Sequence, residues 1–227
     1  MNINQNQVVR KRMAQILITL LVEMAILFGA AGTLNWLWAW VFFGINLLYI
    51  IVNGLTLPKE LIAERGAKKE NVKQWDRILT GITIIPFFGV FLICGLDQRF
   101  GWTGPTPFWV HDSGIILLAI GCAIFTWSMI SNRFFSTEVR IQAERNHTVA
   151  TAGPYKIVRH PGYVGFILQY LSIPLMLGGL WGLIPAGIIA ILFIIRTSRE
   201  DATLQNELTG YREYACKVKF RILPGIW

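Results

Sequence analysis

Four long apolar runs, almost free of charge, limit what this chain can fold into. Residues 13–31 hold one charge, Glu23. Residues 36–57, 78–96 and 115–130 hold none. A helix needs about 20 apolar residues to cross a hydrocarbon core about 30 Å thick. The first three runs reach that length, and the fourth does once Ser113 and Gly114 are counted. Composition agrees: 15% of the residues are charged and the mean hydropathy is +0.49, against about 25% charged in a soluble domain. The expected fold is all-α, a multi-pass helical membrane protein.

A fifth apolar stretch, 163–195, is too long for one span. Leu177-Gly178-Gly179-Leu180 divides it into two arms of about 15 residues with Pro174 and Pro185 inside them, a hairpin whose prolines neighbouring helices can accommodate. Four spans and this hairpin make about six membrane segments. Arg10, Lys11 and Arg12 precede the first span, and further Lys and Arg residues crowd the 58–77 loop, the segment after residue 132 and the tail; Arg99 is the exception. Cytoplasmic loops carry such an excess, which predicts that both termini are cytoplasmic. The same bias, with contact to anionic lipid, accounts for the net charge of +8, and no nucleic-acid-binding signature accompanies it. Arg10-Lys11-Arg12, an apolar run and Gly29-Ala30-Ala31-Gly32 resemble a signal peptide. The length of the run and the second span close behind it favour an uncleaved first helix. Cys94, Cys122 and Cys216, with His111, His147 and His160, show neither paired nor metal-ligand spacing, so neither a disulfide nor a metal is expected.

Composition shifts near Arg133, which divides a membrane scaffold, 1–132, from a functional module, 133–227, within one continuous domain. In the 58–77 loop, Leu57, Leu61 and Ile62 share a helical face, as in a short interfacial helix, and Trp75 is an interface anchor. The loop is either a solvated connector or a flap over the site. Glu23, at membrane depth, is either functional or a protonated hydrogen-bond partner. Asn46, Asn53 and Gln169 are expected to bond between helices.

No GxGxxG, Walker or GxSxG pattern occurs. The densest polar segment is 142–163, QAERNHTVATAGPYKIVRHPGY. Gly153-Pro154 forces a turn and His160-Pro161 a second break. Pro161 then suits the first position of the fifth helix, whose free N–H groups could receive a carboxylate or phosphate. Gly162 and Gly165 allow close approach of a ligand or a helix. A structured loop stabilising the hairpin is the plain alternative. In the second segment, 196–227, Arg196 and Glu200 share a helix face, continued by Leu204 and Leu208. Gly210 could stop or kink that helix before Tyr211 and Tyr214. Here the plain alternative is an Arg–Glu ion pair.

The stretch His147-Thr148-Val149-Ala150-Thr151-Ala152-Gly153-Pro154-Tyr155, then Arg159-His160-Pro161-Gly162-Tyr163-Val164-Gly165, then Arg196 and Glu200-Asp201 resemble the isoprenylcysteine carboxyl methyltransferases and their phospholipid methyltransferase relatives, the smaller prokaryotic members among them. The resemblance covers residues 133–227. It implies an S-adenosylmethionine-dependent methyltransferase acting on a lipid-like or prenylated acceptor in the bilayer. Gln142, His147, Thr148, Val149, Ala150, Tyr155, His160, Pro161, Gly162, Tyr163 and Glu200 match positions that contact the cofactor. Arg196 matches the position that orients the acceptor's carboxylate, so Arg196 and Glu200 are the candidate catalytic pair. The chain departs from the family in the short gap from Gln142 to His147 and in Asp201, which replaces a second Glu. Two competing expectations are an NADPH-dependent membrane reductase sharing the C-terminal module and a non-catalytic membrane subunit.

Overall fold

The computed structural model describes residues 5–67 and 69–227, and its described residues form helices and no strands. The order is α1 (Gln5–Ala31), α2 (Leu37–Thr56), α3 (Lys59–Gly66), α4 (Gln74–Phe100), α5 (Phe108–Ile130), α6 (Pro161–Leu177), α7 (Leu183–Glu207) and α8 (Tyr211–Lys217). The four apolar runs become α1, α2, α4 and α5, and each is long and apolar enough to cross a membrane. Large apolar side chains point outward along them, among them Leu21, Leu55, Ile85 and Phe108. An apolar exterior of that extent fits lipid and not water.

The hairpin forms, but its arms are unequal. The first, α6, has 17 residues and the second, α7, has 25, where the sequence predicts about 15 for each. Apolar run length misjudges α7 because the helix continues past Ile195 through Arg196, whose charge is matched inside the fold. At 1.5 Å per residue α6 is about 26 Å long, a little short of the hydrocarbon core, whereas α7 is long and apolar enough to cross it. Pro174 lies inside α6, but Pro185 falls in the first turn of α7, where a missing N–H costs nothing.

The core gathers Leu27, Phe91, Met176, Leu177 and Ile189, all completely buried, from α1, α4, α6 and α7. Glu23 is buried on α1. Helices α5 and α6 meet across glycines. A methyl group added to Gly165 would stand 2.7 Å from the Gly121 carbonyl oxygen, so Gly165 serves a helix contact. Asn46 bonds back to Phe42 O within α2. Asn53 and Gln169 do bond between helices: Asn53 Oδ1 accepts from Thr126, and Gln169 donates to Gly121 O.

At one end of the bundle, the Asp97 carboxylate accepts from the N–H groups of Thr103 and Trp181, and the His111 ring bonds to Met176 O. At the other end, Tyr49 bonds to Thr126, Asp76 to Arg196 and Lys73 to Glu207. Those pairs bring together the end of α2, the start of α4, and the ends of α5 and α7. The long 132–160 connection folds over this second end, and the polar segments meet there.

Candidate active site

A pocket of about 800 Å³, counting its open mouth, lies under the 132–160 connection. Gln142, His147, Thr148, Val149, Ala150, Tyr155, His160, Gly162, Tyr163 and Glu200 all line it. Pro161 is fully buried as the first residue of α6. Arg196 is buried on α7 and is not part of the lining.

The turn chemistry of the connection explains how it holds this shape. Gly153 has φ +56°, and a Cβ there would sit 2.2 Å from Ser131 Oγ, so the close approach and the left-handed backbone both require glycine. Pro154 follows and opens a helical turn, Gly153–Lys156. Asn146 takes the second left-handed position, at φ 53°. Gln142 is buried and spends both ends of its amide on the loop: Nε2 donates to Phe134 O at 2.7 Å, and Oε1 accepts from Arg145 at 2.7 Å. Its backbone N–H donates to His147 Nδ1 at 3.3 Å, which requires an unprotonated nitrogen there. Burial first, then the cations Arg140 and Arg145, push the His147 imidazole down to about 4, so it is neutral at physiological pH.

The next wall is tied to the C-terminal tail. The Tyr155 hydroxyl accepts from Asn132 at 3.3 Å, and the Tyr155 carbonyl accepts from the Tyr214 hydroxyl at 2.7 Å. Burial pushes both phenols above their ordinary range. Asp201, completely buried, is the junction. It accepts two bonds from Arg159 at 2.8 and 3.0 Å, one each from Arg221, Tyr211 and Gln205, and faces His160 Nε2 at 3.3 Å. The backbone N–H groups of Arg159 and His160 pair with Phe220 O and Arg221 O. The tail therefore straps the break at His160-Pro161 in place. Gly210, at φ +82°, separates α7 from α8, and Leu204, Leu208, Tyr211 and Tyr214 pack with Val149 along one side of the pocket.

Arg196 and Glu200 share a face of α7 as their spacing predicts, but they are not each other's partner. Arg196 makes a two-pronged bridge to Asp76, Nε to Oδ1 at 2.8 Å and Nη2 to Oδ2 at 3.0 Å, and Nη2 also donates to Thr137 O. Glu200 Oε2 accepts from the Tyr163 hydroxyl. The Arg196 guanidinium lies 5.5 Å from the centre of the Tyr163 ring, so the two systems touch through that ring.

Several residues here escape the sequence reading. Asp76 anchors Arg196 and also accepts the Val139 N–H. Arg140 lines the pocket and bonds Glu144 and Glu64, while its Nε is buried without a partner among the described residues. Phe134, Phe135 and Glu138 complete the near wall. The Arg140–Glu144 spacing of four was a usable signal. Asp76 and Glu64 had none, because their partners lie 120 and 76 residues away. Glu64 also makes α3 more than a connector, since it ties that helix to the pocket wall.

Residues 114–206 match the Isoprenylcysteine carboxyl methyltransferase family. The chain is 27% identical over 129 residues to Protein-S-isoprenylcysteine O-methyltransferase A of Arabidopsis thaliana, covering 56% of this chain and 61% of that protein. It is 30% identical over 70 residues to Protein-S-isoprenylcysteine O-methyltransferase B of the same plant, covering 30% and 36%. A probable protein-S-isoprenylcysteine O-methyltransferase of Oryza sativa subsp. indica is 28% identical over 108 residues, covering 46% and 56%. The chain thus spans less than two thirds of the length of these relatives.

Proposed function

From the match of residues 114–206 to the isoprenylcysteine carboxyl methyltransferase family, we propose that this chain is an integral membrane methyltransferase. Its donor is S-adenosylmethionine, and its acceptor is a lipid-like carboxylate of the isoprenylcysteine type. The observation that carries the reading is the convergence of the 142–163 segment and Glu200 on one pocket.

The lining suits this donor, which carries a carboxylate, an ammonium, a sulfonium and an apolar aromatic base. Arg140 Nε, buried without a partner, is a match for the carboxylate. Glu200 keeps one oxygen free of protein partners among the described residues, as an amine or ribose hydroxyl requires. Phe134, Tyr155 and Tyr211 offer aromatic surface. When bound, the donor supplies an electrophilic methyl group whose transfer to a carboxylate oxygen leaves a neutral thioether. The protein's task is alignment and exclusion of water. A carboxylate is already ionised at neutral pH and needs no general base. It needs a fixed cation, and Arg196 is held rigid by Asp76 with Nη1 uncommitted. The 1–132 scaffold and the 133–227 module act as one unit, with both termini and the pocket mouth cytoplasmic.

Calorimetric titration with S-adenosylmethionine, S-adenosylhomocysteine and NADPH tests the donor. Binding of the two adenosyl compounds and not NADPH is expected, and binding of NADPH alone refutes the reading. Cysteine-accessibility labelling tests the orientation, and labelling of position 225 from the non-cytoplasmic face refutes it.

A further inference from the structure

A second cavity, about 560 Å³ counting its open mouth, lies among α1, α2, α3 and α5, outside the pocket already described. It is walled by Ile16 of α1 with Tyr49 and Ile50 of α2. Two guanidiniums, Arg12 and Arg65, also line it, and Arg65 is at the end next to the 132–160 connection, over the Phe135 ring. The cavity is apolar over most of its lining and carries two cations at one end.

Those two cations are anomalous in this structure. Arg140, Arg159 and Arg196 each have an acidic partner, in Glu64, Asp201 and Asp76. Arg12 Nε is buried with no partner among the described residues. Arg65 has no carboxylate or carbonyl partner among them. Its guanidinium stands 5.5 and 5.2 Å from the ring centres of Phe125 and Phe135. Burial, with Arg12 close by, pulls it down to about 10. Both arginines are half-buried, and two neighbouring cations partly withdrawn from water without a counter-charge repel each other, which an anion between them relieves. Phe135 supplies the link to the chemistry. It lines the first pocket, and its ring lies 2.6 Å from where a Cβ on Gly162 would be. One face of the Phe135 wall therefore belongs to the donor pocket, and Arg65 stands over the same ring.

We propose that this cavity holds the hydrocarbon chain of the methyl acceptor and that Arg65, seconded by Arg12, binds the acceptor's carboxylate at its cationic end. Arg65 is then a substrate-binding residue, acting with Arg196. The proposal rests on the methyltransferase reading and names where its acceptor binds. An anionic bilayer phospholipid would use the same chemistry, a chain with a charged head, so the test separates the two sources.

The experiment measures binding of N-acetyl-S-farnesylcysteine and of its uncharged methyl ester to the full chain in phosphatidylcholine nanodiscs. Unsubstituted protein should prefer the acid by about tenfold or more, the effect of one charge-assisted contact. Arg65→Met should erase that preference, and Arg65→Lys should keep part of it. Ile50→Trp, which fills the cavity, should lose both probes. All three variants should bind S-adenosylhomocysteine within about twofold of the unsubstituted protein, which shows that they are folded. Retention of the acid preference by Arg65→Met, or unchanged probe binding by Ile50→Trp, overturns the proposal. So does displacement of the acid by phosphatidylglycerol added to the disc, which assigns the cavity to bilayer lipid. If unsubstituted protein fails to bind S-adenosylhomocysteine while the acid preference stands, the methyltransferase reading falls and the cavity remains a site for anionic amphiphiles.

Discussion

The bridge between Asp76 and Arg196 joins the start of α4 to α7 across 120 residues. Asp76 is completely buried and Arg196 is 9% exposed. Both carboxylate oxygens are engaged by the guanidinium, and Oδ2 also accepts the Val139 N–H at 2.8 Å. Asp76→Leu leaves a buried cation with no counter-charge, and Arg196→Met leaves a buried anion with one N–H. Breaking a buried pair from one side costs about 3–5 kcal/mol, whereas replacing both members is often close to neutral. At about 2–4 °C per kcal/mol for a chain of this size, each single variant should melt roughly 6–20 °C lower. The double variant Asp76→Leu/Arg196→Met should lose no more than one single, a coupling of about 3–5 kcal/mol. Thermal unfolding in detergent, followed by tryptophan fluorescence, reads all four proteins. Additive losses in the double variant, or single losses below about 2 °C, would refute the assignment of these residues as each other's counter-charge.

Glu200→Gln should weaken S-adenosylhomocysteine binding by about 1.5–3 kcal/mol, the worth of a hydrogen bond to a charged group, with little loss of melting temperature because Gln still accepts from Tyr163. Calorimetry with a parallel melt checks this, and unchanged affinity would sink the role. Asp201→Asn should lower both stability and cofactor affinity, since Arg159 and Arg221 lose their shared anion and the strap across His160-Pro161 loosens; normal affinity in a destabilised variant would show the strap to be irrelevant to the pocket. For His147, whose imidazole is pushed down to about 4, the unfolded chain binds a proton below about pH 6.5 that the folded protein refuses. Its share of stability is therefore present above that pH and lost as the pH falls towards 4. His147→Gln should flatten the decline in melting temperature over that window, and an identical decline in both proteins would exclude His147 as its source.

The spans were legible because lipid imposes a length on apolar runs that no soluble fold imposes. The same rule fails at α7. The run ends at Ile195, yet the helix does not, since Asp76 supplies inside the fold the neutrality that water would otherwise provide for Arg196. The 142–163 segment was legible at its breaks. Gly153-Pro154 and His160-Pro161 fix backbone geometry locally, and the structure turns at both. The identity of the lining came from resemblance, since nothing in the spacing of Gln142, His147 and Tyr155 says that they face one space. The Arg196–Glu200 ion pair, the plain alternative for that spacing, does not form, for a reason that spacing cannot express. Two side chains four residues apart gain a few tenths of a kcal/mol from each other on an exposed helix. A two-pronged carboxylate and a phenol from other helices outbid that. The loop 58–77, read as either connector or flap, is instead a set of attachments. Leu61 and Ile62 pack on Met129, Glu64 holds Arg140, and Lys73 reaches Glu207. Asp76, just beyond, closes on Arg196. The composition boundary near residue 133 therefore does not divide the fold, because the charges that fix the C-terminal pocket are supplied from the N-terminal side.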